Sequence, residues 1–300
     1  MKKSLFLSIV VLLFFVLCFA FSKDCILLSK KMMNTFFETI FPTLLPFFLC
    51  TYLLLETNLL EFLTYLLQYI SMPIFKLNGY GCLVVVVSIF TGTPFVASLI
   101  SSFLIQNKIS KKEALVLASC CLYPSWSFIY LTIGSFIGFS SSKVLCLSIY
   151  FSSFLLLFIL SNILLKKEKF VSFKEVKNNI RFSLLNFNFP LILRKTIINS
   201  CTNLIVILGT MVYFSLPLTV FKNNLFIQAL FEFSSASFAI INSTISHKIS
   251  YLAFTFSFGS LSLIMQHHSM LEDTGIKIKH LLLSRLFIIP FTFLFLKLLT

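Results

Sequence analysis

The chain has 300 residues, of which 58% are hydrophobic and 11% are charged, and its formal net charge is +14 at pH 7. Soluble globular domains carry about 25% charged residues, so this composition excludes that class and predicts an all-α polytopic membrane protein whose first partner is the lipid bilayer. The lysine and arginine residues lie in short connections and form no basic face interleaved with stacking aromatic residues, so no nucleic-acid partner is expected.

At the N-terminus, Lys2 and Lys3 precede an apolar run from Leu5 to Phe21. Such a run is typical either of a secretory signal or of a first spanning helix. Because no small-residue cleavage pattern follows the run, a retained transmembrane helix within residues 1–30 is the favoured interpretation.

Ten apolar segments follow one another along the chain, and each is a candidate membrane helix. They cover residues 4–22, 36–55, 59–75, 80–105, 113–138, 143–165, 195–221, 224–241, 248–271 and 280–299. The segments at 59–75 and 224–241 are short and each contains glutamate and glutamine, which favours re-entrant or interfacial helices there. We therefore predict 8 to 10 transmembrane or re-entrant helices.

The polar interval at 166–194 divides the chain, and its excess of lysine predicts a basic cytoplasmic loop. The predicted organisation is a first membrane repeat at 31–165, this loop, and a second membrane repeat at 195–300. The two halves share a layout, because a small-residue break at Gly92 has a counterpart at Gly259. Five predicted spans separate corresponding points, so the second repeat would be inverted, as in many secondary transporters. A chance likeness between two Phe-, Leu- and Ser-rich halves is the alternative.

A helix break is predicted in the middle of an apolar run by Thr91, Gly92, Thr93 and Pro94. Glycine tolerates unusual φ, proline removes a donor, and threonine hydroxyls can bond freed carbonyls or a solute. Unsatisfied backbone groups cost several kcal/mol in hydrocarbon, so the break predicts a protein-lined polar site. A simple proline kink repaired by the threonine hydroxyls is the alternative.

Further candidates for solute binding lie in three later segments. They are Tyr123, Pro124 and Ser125 in one, Glu232 and Ser234 in the next, and Gly259, Ser260, Ser262 and Gln266 in the last. Glu232 ranks first among the charged candidates, as an ion or proton site, because an ionisable residue inside a span is expensive to bury. A position at the water interface is the alternative interpretation of Glu232.

Catalytic and metal-binding motifs are missing from the sequence. It contains no HExxH or GxSxG motif, and its eight cysteines form no CxxC or Cys/His cluster. His267 and His268 are adjacent, so on a helix they point about 100° apart and cannot address one metal from a single face. No enzyme activity, cofactor or metal is therefore expected.

Several segments, taken in order, resemble the sporulation integral membrane protein YlbJ family, part of the wider nucleoside recognition or gate domain group. They are MPIFKLNGYG, SIFTGTPFVASLI, ISKKEA, CCLYPSWSFI and SFGSLSLIMQHHSMLEDTGIKIKHLLLSRL. The similarity runs over roughly residues 30–290. By position, the family's breaks fall on Gly92 and Pro94 and on Gly259 to Ser262.

The resemblance implies a multi-pass cell-membrane protein of spore-forming Firmicutes, in the mother-cell or outer forespore membrane. It also implies transport of a small carboxylate such as dipicolinic acid, by alternating access around the breaks. The sequence departs from the family pattern at two positions: Ser98 stands where the family has a lysine, and Tyr123 replaces the usual asparagine before proline. The missing lysine weakens the expectation of an anionic solute, because a lysine could pair with a carboxylate. The alternatives are a different solute or a member that no longer transports. A non-transporting scaffold, or a gate subunit, with homo-oligomer or sporulation-membrane partners is the alternative.

Overall fold

The computed structural model of the chain describes residues 2–56, 59–166, 188–221, 224–271 and 274–300. These residues form helices and short turns, with no strand among them, which confirms the all-α prediction. The middle of the predicted basic loop, 167–187, lies outside the described residues.

The described residues of the first half form nine α-helices. They are α1 (Lys2–Ala20), α2 (Ser22–Thr35), α3 (Phe41–Glu56), α4 (Leu59–Phe75), α5 (Gly79–Thr91), α6 (Phe95–Ile105), α7 (Lys111–Cys120), α8 (Gly134–Ile137) and α9 (Phe139–Leu164). A π-helical turn at Phe36–Ile40 joins α2 to α3, and another at Ser127–Ile133 leads into α8. The predicted N-terminal helix within 1–30 is interrupted at Phe21, where α1 gives way to α2.

The second half contains six more helices among the described residues. They are α10 (Phe189–Ser215), α11 (Leu225–Phe231), α12 (Phe233–Asn242), α13 (Lys248–Phe258), α14 (Ser260–Ser269) and α15 (Ile278–Leu299). The second repeat was predicted to begin at 195, but α10 begins at Phe189. The cause is local: the side chain of Asn188 accepts a hydrogen bond from Leu191 N, and a proline fills the first turn.

Among the described residues, five helical stretches are long and apolar enough to cross a membrane. They are Ser22–Leu54, Phe139–Leu164, Phe189–Thr219, Lys248–Ser269 and Ile278–Leu299. A sixth forms if α4 and α5, which bend by 92° at their junction, count as one broken span. Shorter apolar helices include α6 and α12. The chain is therefore a polytopic membrane protein. Some of its predicted apolar segments form full-length spans, and others form shorter helices.

The sharp junction between α4 and α5 is held by Asn78. Its side chain caps α5 by accepting a hydrogen bond from Gly81 N at 2.9 Å. Its own backbone N–H donates to Glu113 Oε1 at 3.0 Å, which ties the junction to the first turn of α7. Gly79 lies directly against the backbone carbonyl of Thr64, where a Cβ would clash. These contacts fix the direction in which α5 enters the core.

The long helices pack through small and hydroxylated side chains, while large apolar side chains cover the outer surface. Leu12, Phe19 and Leu286 are each more than 60% exposed, as expected of a surface that faces lipid. Inside, Ser152 Oγ of α9 and Thr292 Oγ1 of α15 share a hydrogen bond of 2.8 Å. Small polar residues allow close helix contact in membranes, so this pair joins the two spans.

Candidate functional site

The first helix break lies between α5 and α6. Gly92 adopts a φ of 62°, and its N–H donates to Ser88 O at 2.9 Å. A Cβ at Gly92 would clash with Ser125 N and lie 2.9 Å from Pro124 C, so only glycine fits here. Thr93 N donates to Tyr123 O at 3.1 Å. The first break therefore rests directly on the segment that follows α7.

That segment, 121–125, is the second break. Tyr123 is 1% exposed, and its hydroxyl shares a hydrogen bond of 2.6 Å with Ser88 Oγ. Ser125 Oγ accepts from Phe128 N at 3.2 Å and so caps the helix that follows. Tyr150 OH donates to Pro124 O at 3.5 Å. The polar groups freed by the break thus find partners inside the protein, as hydrocarbon surroundings require.

The third break, between α13 and α14, touches the second. Gly259 is left-handed with φ 83°, and a Cβ there would lie 2.9 Å from Leu122 Cδ2. Ser260 also has a positive φ of 48°, and its hydroxyl shares a hydrogen bond of 3.0 Å with Ser262 Oγ. Three breaks that are far apart in sequence therefore meet in one region of the core.

Glu232 lies at a fourth interruption, between α11 and α12, and its side chain is fully buried within the protein. It is the N-cap of α12: its carboxylate accepts hydrogen bonds from Ser235 N at 2.6 Å and Ser234 N at 3.2 Å. Ser234 Oγ donates to both carboxylate oxygens, at 2.7 and 2.8 Å, and Ser262 Oγ approaches at 3.5 Å. The positive end of α12 thus stabilises this carboxylate.

Arg285 of α15 is a buried charged residue that the sequence reasoning missed. It is 1% exposed, and its guanidinium donates to Leu122 O at 2.7 Å, Ser119 O at 2.7 Å and Ser257 O at 3.3 Å. These carbonyls lie at the ends of α7 and α13, where helix dipoles are negative. The sequence does indicate this residue, because an arginine inside an apolar span is a functional candidate by default.

A small cavity of about 20 Å³ lies where the first and second breaks meet. Its polar lining consists of Thr43, Thr91, Thr93, Ser125 and Gln266, and its apolar lining includes Ile40, Leu44, Ile207, Phe128 and Phe233. A cavity needs roughly 10–15 Å³ of such volume for one water, so in this conformation the cavity has room for about one water and is too small for a larger solute. Phe128 and Phe233 pack edge to face, with their ring centroids 5.4 Å apart, at one side of the cavity.

Gln266 is the most unusual residue of the cavity. It is 1% exposed, yet neither its amide oxygen nor its amide nitrogen has a hydrogen-bond partner among the described residues. An unsatisfied buried polar group costs about 1–3 kcal/mol, so its retention calls for a reason other than stability. Beside it, Thr93 Oγ1 and His267 Nδ1 lie 3.3 Å apart in a hydrogen bond.

The residues predicted to bind solute fall into two groups. The first group lies in the cavity lining and comprises Thr91, Thr93, Pro124, Ser125 and Gln266. The backbone around these residues is shaped by Gly92, Pro94 and Tyr123. The second group, which we call the Glu232 cluster, comprises Glu232, Ser234, Ser260 and Ser262, with Gly259 at its edge. Phe233, which follows Glu232 in the chain, belongs to the cavity lining and joins the two groups.

The chain matches no protein-family model and no solved structure. Among curated proteins, the sporulation integral membrane protein YlbJ of Bacillus subtilis (strain 168) is 36% identical to it over 91 residues. The aligned stretch covers 30% of this chain and 22% of that relative. The chain is thus an integral membrane protein distantly related to a sporulation integral membrane protein. The wider nucleoside recognition grouping stays a prediction.

Proposed function

We propose that this protein is a transporter that moves a small solute across a membrane of the sporulating cell by alternating access. The observation that carries the proposal is the unpartnered amide of Gln266 beside two helix breaks, in a small cavity of the protein core. Inside a membrane, unwound backbone is tolerated only where protein or a water-filled solute path surrounds it. Polar side chains without partners, in a spanning bundle, indicate a site built for another molecule.

We also propose that the two breaks at Gly92 and Gly259 are counterparts in two inverted repeats, 31–165 and 195–300. Both glycines have positive φ, at 62° and 83°, and each is followed closely by a shorter helix, α6 or α14. Arg285 ties the second and third breaks together through their carbonyls. Since Arg285 belongs to α15, such a clamp supports a mechanism in which the broken segments and α15 move as one body relative to other helices.

The test is uptake of radiolabelled dipicolinate and other small carboxylates into vesicles that contain the purified full chain. The test variant is Gly92→Ala, and the matched control is Gly209→Ala, because a Cβ at Gly209 meets nothing within 4 Å. We expect uptake by wild type and by the Gly209 variant, and at least a tenfold slower rate for the Gly92 variant. Folded wild-type protein that moves none of these solutes, with normal sporulation of Gly92→Ala cells, would favour the scaffold alternative.

A further inference from the structure

The groups that line the cavity are all neutral. Its five polar lining side chains carry hydroxyl or amide groups, and none of its described lining residues is charged. A carboxylate brought into this cavity would find no cationic side chain opposite it. An unpaired ion in a low-dielectric site normally gives way to its neutral form, because burying the charge costs more than changing its protonation.

Charged and titratable side chains do occur on the helices that pack against α14, which carries Gln266. Among the described residues these are Glu232, which caps α12, His267 and His268 of α14, Arg194, Lys195, Cys201 and Tyr213 of α10, and Lys279, His280, Arg285 and Lys297 of α15. Lys279, Lys297 and Tyr213 are exposed, and His280 and Cys201 are half-buried. The guanidinium of Arg285 donates hydrogen bonds to three backbone carbonyls and a serine hydroxyl. The carboxylate of Glu232 accepts hydrogen bonds from the start of α12. Arg194 and Lys195 are exposed. His267, whose Nδ1 bonds to Thr93, is a titratable group in direct contact with the cavity lining.

Several backbone N–H groups at the helix ends around the cavity are already taken by acceptors within the protein, as Phe128 N is by Ser125 Oγ. Glu232 already neutralises the N-terminal end of α12. Near the start of α6, Val96 N donates to Gly92 O and Ala97 N to Pro94 O, while the N–H of Thr93 is taken by Tyr123 O. The carbonyl end of α5 lies at Thr91, in the cavity lining, and its negative dipole end disfavours an anion.

The amide of Gln266 matches an undissociated carboxyl group. Its nitrogen can donate to the acid's C=O while its oxygen accepts from the acid's O–H, which gives a pair of complementary hydrogen bonds. A carboxylate has no proton to donate. Its second oxygen would therefore face the amide oxygen of Gln266, and because both oxygens are acceptors, no hydrogen bond could form between them. The same amide would bind a primary carboxamide equally well, because a carboxamide also presents one donor and one acceptor.

We propose that this cavity binds its solute in the neutral form, so that a carboxylic acid crosses the membrane as the undissociated acid. The inference rests on the proposed transport function and names its substrate class. The carboxylate takes a proton from the water on the entry side, the neutral acid is carried, and the proton is released with the carboxylate on the exit side. One proton thus accompanies each carboxyl group, and no net charge moves.

The experiment compares pyridine-2,6-dicarboxylic acid with its uncharged diamide as probes, in vesicles holding the full-length protein at equal pH inside and outside. Above the acid's pKa, each pH unit reduces the protonated fraction tenfold for every carboxyl group concerned. We expect the protein-dependent initial rate for the acid to fall at least tenfold per pH unit, and the rate for the diamide to stay flat. A membrane potential set with potassium and valinomycin should change neither rate. Protein-free vesicles provide the passive background.

Two variants separate the solute's protonation from that of the protein. His267→Gln should keep the steep pH slope for the acid, whereas Gln266→Arg should flatten it by placing a cation opposite the carboxylate. Uptake of the acid that is independent of pH or driven by potential, or a slope that disappears in His267→Gln, overturns the inference and leaves transport standing. Failure of the wild type to move either probe at any pH overturns the proposed function and this inference with it.

Discussion

Arg285 Nη1 donates a hydrogen bond of 2.7 Å to the backbone carbonyl oxygen of Leu122, a residue 163 positions earlier in the chain. Through this bond and those to Ser119 O and Ser257 O, one side chain holds the ends of α7 and α13 together. The positive charge lies where two helices present their negative ends. The ends of α7 and α13 are therefore held by a residue that does not line the cavity.

The first prediction concerns this clamp. Arg285→Met leaves two or three buried carbonyls without a donor, and each costs about 1–3 kcal/mol, so the free energy of unfolding should fall by about 3 kcal/mol or more. Arg194→Met is the control, because Arg194 is exposed. Unfolding in detergent, followed by circular dichroism, measures both variants. Equal effects of the two substitutions would contradict the clamp.

The second prediction contrasts two glycines. At Gly92, alanine meets both a left-handed φ of 62° and the backbone of Pro124 and Ser125, so Gly92→Ala should lower the free energy of unfolding by at least about 2 kcal/mol. Gly209→Ala lies within α10 with open space around it and should raise stability by about 0.5–1 kcal/mol. Thermal unfolding in detergent checks both signs. A harmless Gly92→Ala would mean that the break can relax.

The third prediction concerns the role of Glu232 as an N-cap. Glu232→Ala removes the acceptor for two backbone N–H groups of α12 and should cost about 1–2 kcal/mol of stability. Glu232→Gln keeps one acceptor oxygen and should cost less than half as much. Chemical unfolding of the purified variants measures the difference. Equal losses for Gln and Ala would show that the charge itself, not the cap, stabilises this region, because both substitutions remove the charge.

The fourth prediction concerns the hydrogen bond between α9 and α15. A double-mutant cycle of Ser152→Ala and Thr292→Val should give a coupling of about 0.6 kcal/mol, the average for hydrogen bonds between spans. Ser135→Ala, whose hydroxyl bonds only to Thr132 O on its own helix turn, serves as the control partner and should show no coupling with Thr292→Val. A coupling near zero for the first pair would mean that the hydroxyls rebond within their own helices.

The sequence predicts those parts of the site whose cause is local. Glycine and proline are unfavourable inside helices, so the interruptions at Gly92 and Gly259 could be predicted without a structure. They do not break a helix at every position, because Pro46, Pro73, Pro290 and Gly209 all lie inside helices. The start of α10 at Phe189 also has a local cause, the Asn188 cap. The prediction from the apolar pattern alone put the start of this helix later in the chain. The burial and capping role of Glu232 depended on the direction of α12, which composition does not reveal.

Other features depend on tertiary contacts and could not be derived from the pattern. The partners of Arg285 lie on α7 and α13, and only packing brings them together. Gln266 was predicted as a polar contact, but its lack of a partner is visible only when every neighbour is placed. The division into full-length and shorter helices also follows from where caps and turns end each helix, not from hydropathy alone.

Access to the cavity from both sides of the membrane tests the central claim most directly. Ser125, which lines the cavity, is changed to cysteine in a chain whose eight native cysteines are replaced, after its unfolding has been matched to wild type. Membrane-impermeant thiol reagents are then added to either side of sealed vesicles, with and without the pyridine diacid. We expect labelling from both sides and protection by the solute. Labelling from neither side, or from one side only whatever the solute, would contradict alternating access at this site.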